Sequence, residues 1–224
     1  GVYHLTGNFL DGTSSNADLT NAGTVDNTVG AAAKCRDFTS ANDNLSSLID
    51  PDLHITGDLT ISAWVDFQSY SAGSRNNTIL GMGGSASTEN RNFLYYFNIL
   101  NDGRMQMDWE YGAVPAVEST VTTNTISMAA GFSMLTVTRD ATANELFFYQ
   151  DGALIEGPIS YVNDPTGGTL SFLRVGEDHE LAATAELDGY EDEIRISNIA
   201  RDADWLATTF NSINDPAFYS VGAQ

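Results

Sequence analysis

Four carboxylates crowd one short stretch, "LDGYEDEIRISNIARDADWL" at 187–206: Asp188, Glu191, Asp192 and Glu193. Such a cluster admits three chemistries. Two carboxylates about 5–5.5 Å apart on one strand face can break a glycosidic bond, one as nucleophile and the other as acid/base. Glu191 and Glu193 are two apart and would share a face, but they sit where a strand begins beside a turn. No aromatic-rich stretch surrounds them to build a sugar cleft, so catalysis is disfavoured. A divalent cation is the second use, since Ca²⁺ takes about six to eight oxygens from carboxylates and backbone carbonyls. The "DGTSSNAD" loop at 11–18 offers Asp11, Asn16 and Asp18, and it holds too few hydrophobes to be fixed by packing alone. The third use is plain: the carboxylates hydrogen-bond their own turns and face water, with Asp192 or Glu193 paired to Arg195 or Arg139.

Sugar recognition asks for other groups, an aromatic platform with amides and carboxylates that bond hydroxyls. Tyr70, Arg75, Asn76 and Asn77 are gathered in one loop, and Glu89, Asn90 and Arg91 in the next. Tyr95, Trp109 and Tyr111 lie on the strands that follow. The competing reading is that strand aromatics are core. His4 lies in an opening strand and is expected to be packed. "GEDHE" at 176–180 reads as a solvated loop before a second cation site. No HExxH, GxSxG or P-loop pattern occurs.

The chain has 224 residues with 30 acidic and 9 basic side chains, a formal charge of −21. Nucleic acid and anionic membrane are repelled by that charge, whereas divalent cations are not. Hydrophobic residues at 42% suffice for a sizeable core in one domain, 1–224. No apolar run approaches the ~20 residues of a membrane span. The only cysteine, Cys35 in "AAAKCRDF", is expected to be an inert buried thiol. The first residue is Gly1, which suggests a processed or excised chain.

The elements that must carry these groups read as β throughout. "LTISAWVDF" (59–67) alternates Ile61, Ala63, Val65 and Phe67 against Thr60, Ser62, Trp64 and Asp66. "NFLYYFNIL" (92–100), "GRMQMDWEY" (103–111), "FSMLTVTRD" (132–140), "NELFFYQDG" (144–152), "GTLSFLRVG" (168–176) and "DEIRIS" (192–197) share that period of two. "NDG" at 101–103 and "QDG" at 150–152 read as tight hairpin turns, because "DG" accepts positive φ. The pattern predicts a sandwich of two antiparallel sheets with around a dozen strands. One helix is predicted at 202–212, capped by Asp202, with Trp205, Leu206 and Phe210 as its apolar face.

Several of these stretches, in this order, resemble the laminin-G-like, concanavalin A-like jelly-roll superfamily. "LTISAWVDF" is similar to its "SAWV" strand, and "MLTVTRD…NELFFYQDGALI" to the strand pair joined by a "YxDG" turn. "LRVGEDH…LDGYEDEIRISNIARDADWLATTFNS" resembles its closing segment, and "VYHLTGNFLDGTSSNADLTNAGT" its opening strand and loop. The closing stretch most resembles a subgroup found in large bacterial and archaeal surface proteins. The resemblance implies a concanavalin A-like jelly roll with a short C-terminal helix. It implies that the first loop lies close to the closing strand, so that Asp11, Asn16, Asp18, Asp192 and Glu193 could share a structural Ca²⁺. It also implies that the strands bearing Tyr95, Trp109 and Tyr111 form a concave sheet, with the two loops as its rim. The E-x-D-x-x-E strand of concanavalin-like glucanases does not occur here.

The resulting expectation is a non-catalytic, extracellular binding or adhesion module, carbohydrate-directed and calcium-stabilised. Its expected partner is a glycan or cell-surface polysaccharide. The alternatives are a structural subunit of an extracellular filament, surface layer or virion acting through protein–protein contacts, and, disfavoured, a glycoside hydrolase.

Overall fold

The structure, a computed structural model, describes residues 1–5, 9–14, 17–27, 29–40, 43–47, 50–68, 77–84, 93–112, 116–127, 131–166, 171–177, 186–215 and 217–218. Among them the chain forms fifteen strands and one α-helix. The short opening strands are β1 (Val2–Tyr3), β2 (Leu19–Ala22), β3 (Val25–Asn27), β4 (Cys35–Asp37) and β5 (Asn44–Ser47). A 3₁₀ turn at Pro51–Leu53 leads into β6 (Leu59–Phe67) and β7 (Asn77–Gly84). Then come β8 (Phe93–Ile99), β9 (Arg104–Tyr111), β10 (Ala116–Thr125), β11 (Ser133–Asp140), β12 (Glu145–Gln150) and β13 (Ala153–Ser160). β14 (Ser171–Val175), β15 (Gly189–Ser197) and helix α1 (Ala203–Asn214) complete the order.

Two antiparallel sheets result. One runs β13-β12-β11-β6-β15-β4-β3, with β1 also paired to β15; the other runs β10-β9-β8-β7-β14-β5-β2. The predicted turns are present: Asp151 and Gly152 both take positive φ between β12 and β13, and Gly103 does so between β8 and β9. The sheets enclose one apolar cluster built from alternate residues, among them Ile61, Ala63 and Val65 of β6 and Met105, Met107 and Trp109 of β9. Asp202 caps α1 by accepting from the Trp205 amide at 2.8 Å. The helix covers the outer face of β6, where Trp64 stacks on Phe210 at 5.4 Å and 11°. That cover buries β6 on both faces. Cys35 is buried as expected, its Sγ–H donating to Val29 O at 3.2 Å, and burial pushes the thiol pKa up to about 12.

The opening and closing strands meet. β15 pairs with β6 along one edge; on its other edge Tyr190 and Glu191 face β4, and Ile194 and Arg195 face β1. Between those two partners the register against β6 slips, and Glu193 takes a positive φ of 49°. This β-bulge sets two residues of β15 against one of β6 and changes which side chains share a face.

Candidate functional site

The acidic cluster lies on this bulged strand, and the bulge sends its members to different places. Glu191, opposite Val65, points into the core and is fully buried. Neither of its carboxyl oxygens has a hydrogen-bond partner. Burial first, and then Asp192, raise its pKa well above the ordinary carboxyl range and favour its neutral form. Asp192, opposite Trp64, turns the other way and accepts from the amides of Ala32 and Glu193. Its pKa is raised to about 6, chiefly by burial. Glu193 pairs with His4 and Arg195. His4, expected from the sequence to be packed, is instead half exposed and serves as the outer partner of Glu193.

Asp11 and Asp18 are spent on the first loop. Asp11 accepts from the amides of Val2 (2.9 Å) and Thr13 (3.0 Å) and from the Thr13 hydroxyl (2.7 Å). Asp18 accepts from the Asp11 amide at 2.9 Å. The loop and the closing strand do meet across β1. However, Asp11 anchors at Val2, which faces Arg195, whereas Glu193 pairs with His4, two residues further along. Among the described residues no three His, Cys, Asp or Glu side chains converge as a metal cluster would require. Asn16 lies outside those residues.

The sugar-facing candidates need a correction of parity. Tyr95 and Trp109 are fully buried between the sheets. The Tyr95 hydroxyl donates to Leu53 O at 3.0 Å, the Trp109 indole donates to Asn163 O at 2.7 Å, and Arg139 lies over the Trp109 ring. The reason is alternation: Phe97 and Ile99 face the core, so Tyr95 does too, and its neighbour Tyr96 takes the outer face. Register places Tyr96 beside Asp108, and Asn98 beside Gln106 and Thr78, on that outer face. Asn98 is fully buried there, with neither amide atom partnered. The sequence reading missed these residues, although the polar pair Asn98 and Gln106 carried the signal. Asn77 is buried at the start of β7, and Tyr111 is half-buried at the end of β9. Tyr70, Arg75, Asn76, Glu89, Asn90 and Arg91 lie outside the described residues.

An open cavity of about 770 Å³ lies at one end of the sandwich. It is lined by the segment between Pro51 and Asp58, by Gly1, Val2 and Thr13, and by residues 196–198 and Arg201. Its main wall is held from beneath by core residues. Arg139 donates to Ile55 O (3.1 Å) and Gly57 O (2.7 Å), Tyr95 donates to Leu53 O, and Asp58 accepts from the Ala141 amide at 2.9 Å. Tyr95 and Trp109, the latter through Arg139, thus position a pocket wall that neither touches. Inside, polar groups stand unused. His54 Nε2 and Arg201 Nε are buried without partners. The Asp52 carboxylate and the Asn198 amide form no bond with a described residue. Free donors and acceptors of both kinds suit a ligand rich in hydroxyls.

Comparison with known proteins supplies the lineage. A search of curated proteins finds no match. Among solved structures, the receptor binding domain of botulinum neurotoxin C/D mosaic serotype superposes with TM-score 0.68 at 13% identity, over 94% of this chain and 50% of that one. The serotype D binding domain gives 0.66 at 13% identity, over 94% and 51%. The binding domain of botulinum neurotoxin DC in complex with SialylT gives 0.66 at 11% identity, over 95% and 50%. The chain thus spans about half the length of these neighbours, and at such identities they show the shared fold alone. A profile of laminin-G type, described as concanavalin A-like lectin/glucanases superfamily, matches residues 39–207. With two stacked antiparallel sheets, a closing strand beside the opening one and that match over most of its length, the chain belongs to the concanavalin A-like lectin/glucanases superfamily.

Proposed function

We propose that the chain is a non-catalytic, extracellular carbohydrate-binding module whose site is the polar cavity between the Pro51–Asp58 segment and Arg201. The observation that carries this reading is the polar lining of that cavity, in which Asp52, His54, Asn198 and Arg201 stand together and the Asp52 carboxylate and Asn198 amide form no bond with a described residue. The Asp52 carboxylate and the Asn198 amide are exposed along the lining and available to a ligand, while His54 Nε2 and Arg201 Nε lie sealed behind it. The neighbours lend support of a general kind: one is the structure of a neurotoxin type C whose entering of cells depends upon interaction with two ganglioside molecules. Absence of catalysis is supported by the fate of the acidic cluster. Glu191 faces the core, whereas Glu193 is paired with His4 and Arg195 beyond the bulge, so the Glu191–Glu193 pair that even spacing suggests does not form. A glycan array on the intact chain tests the reading, with His54→Ala and Asn198→Ala as site variants. Retention that both variants weaken supports it; silence across neutral and acidic glycans overturns it.

Calcium enters this proposal only at the first loop, through Asp18, Asn16 and backbone carbonyls. An ion that binds the native chain alone must raise its melting temperature. An unchanged melting temperature with and without EDTA removes calcium from the proposal.

The second reading is assembly, favoured by apolar side chains at sheet edges: Val25 on β3, Leu154 on β13 and Val117 on β10, each 42–58% exposed. Light scattering at rising concentration tests it, and a monomer throughout would count against it.

A further inference from the structure

This inference rests on the reading that the cavity takes a saccharide, and it names the kind. We propose that the pocket selects a sugar bearing a carboxylate, such as a uronic acid, and that the Arg201 guanidinium receives that carboxylate. The observation is the state of Arg201 compared with the other described basic side chains. Lys34 and Arg36 pair with Asp26, Arg104 with Asp102, Arg174 with Glu177 and Arg195 with Glu193. Arg139 spends its guanidinium on the carbonyls of Ile55 and Gly57. Arg201 alone among them makes neither a side-chain hydrogen bond nor an ion pair with a described residue. It does so in a chain with 30 acidic residues, and in a pocket that also holds Asp52 and Asp58.

Its position is fixed nonetheless. The Arg201 amide donates to the Thr60 hydroxyl at 2.9 Å, and that hydroxyl donates to Ile199 O at 2.6 Å. The guanidinium lies over the Trp205 ring, 4.6 Å from its centroid. A stacked guanidinium has already lost much of its rotamer freedom, so a ligand need not order it. Its planar fork matches a carboxylate through two parallel N–H···O bonds, a geometry that a hydroxyl cannot return. Asp52 and Asn198 remain for the sugar hydroxyls.

The experiment is isothermal titration of the intact chain with D-glucuronate and D-galacturonate, with D-glucose and D-galactose as neutral parents, and with acetate. Each uronate is expected to bind about tenfold or more tightly than its parent, the worth of a charge-assisted pair. Arg201→Ala should erase that preference, so that each uronate binds no more tightly than its neutral parent; Arg201→Lys, which keeps the charge without the fork, should retain part of it. Neutral sugars bound as tightly as the uronates would sink the selectivity and leave the carbohydrate reading standing. Acetate bound as tightly as a uronate would make this an anion site and overturn the proposal. If no sugar binds, both readings fall together.

Discussion

Glu191 offers a quantitative test of how the bulged strand is built. Its carboxyl is sealed in the core opposite Val65, with no hydrogen bond to either oxygen. Across β15 its other register partner is Arg36, but that guanidinium is engaged by Thr24 and Asp26. A buried group left unpaired costs about 1–3 kcal/mol. Leucine has nearly the same bulk and no such need, so Glu191→Leu is expected to stabilise the protein by about that amount at pH 7. For a chain of this length each kcal/mol is worth about 2–4 °C of melting temperature. The pH dependence gives the sharper signature. A carboxyl whose folded pKa is raised contributes its full share below the unfolded value near 4.5. As pH rises past that value the unfolded chain ionises first, and stability is lost until pH passes the folded value. Within that window the slope is about −1.4 kcal/mol per pH unit for one carboxyl. Asp192 adds a similar loss as pH rises from its ordinary 3.8 to about 6, but it is present in both proteins. Urea melts of wild type and Glu191→Leu from pH 4 to pH 9, followed by tryptophan fluorescence, therefore isolate Glu191 in their difference. The gap should widen with pH. Parallel curves, or a leucine variant less stable than wild type at pH 7, would refute a neutral, unpaired carboxyl in the core.

Other expectations follow from the same contacts. Tyr95→Phe removes the bond to Leu53 O and should cost about 1 kcal/mol by urea melt. It should also weaken sugar binding in titration, although Tyr95 lines no part of the cavity. Asp202→Ala takes the cap from α1 and should cost about 1 kcal/mol, with loss of the Trp64–Phe210 stack visible in near-UV circular dichroism. Cys35 should resist a thiol reagent at pH 8 in the native protein and react at once in denaturant, because burial holds it as the thiol.

How much of this was legible in the sequence depends on where the information sits. Period two in β6 and β9 and the "QDG" turn are local, and they carried the sheets directly. The Asp202 cap and the apolar face of α1 were equally local. Parity in β8 was ambiguous because Tyr95 and Tyr96 are adjacent, and only the choice of Asn98 as an outward residue settles it. The bulge had no sequence mark. Even spacing placed Glu191 and Glu193 on one face, whereas the positive φ at Glu193 separates them. The cavity was invisible for a different reason. Its walls come from Gly1 and Val2, the first loop, the Pro51–Asp58 segment, the end of β15 and the residues after it, and no motif spans segments so far apart.

The place of β15 in its sheet also bears on how the protein is made. β6 is synthesised well before β15, and one of its edges is completed only when Gly189–Ser197 arrives, more than 120 residues later. Until then a long apolar strand stands with an unpaired edge, open to adhesion between nascent copies. The sheet is slow to close, because its central pairing joins distant parts of the chain. Any truncation that ends before β15 leaves that edge permanently open, and aggregation is its expected fate.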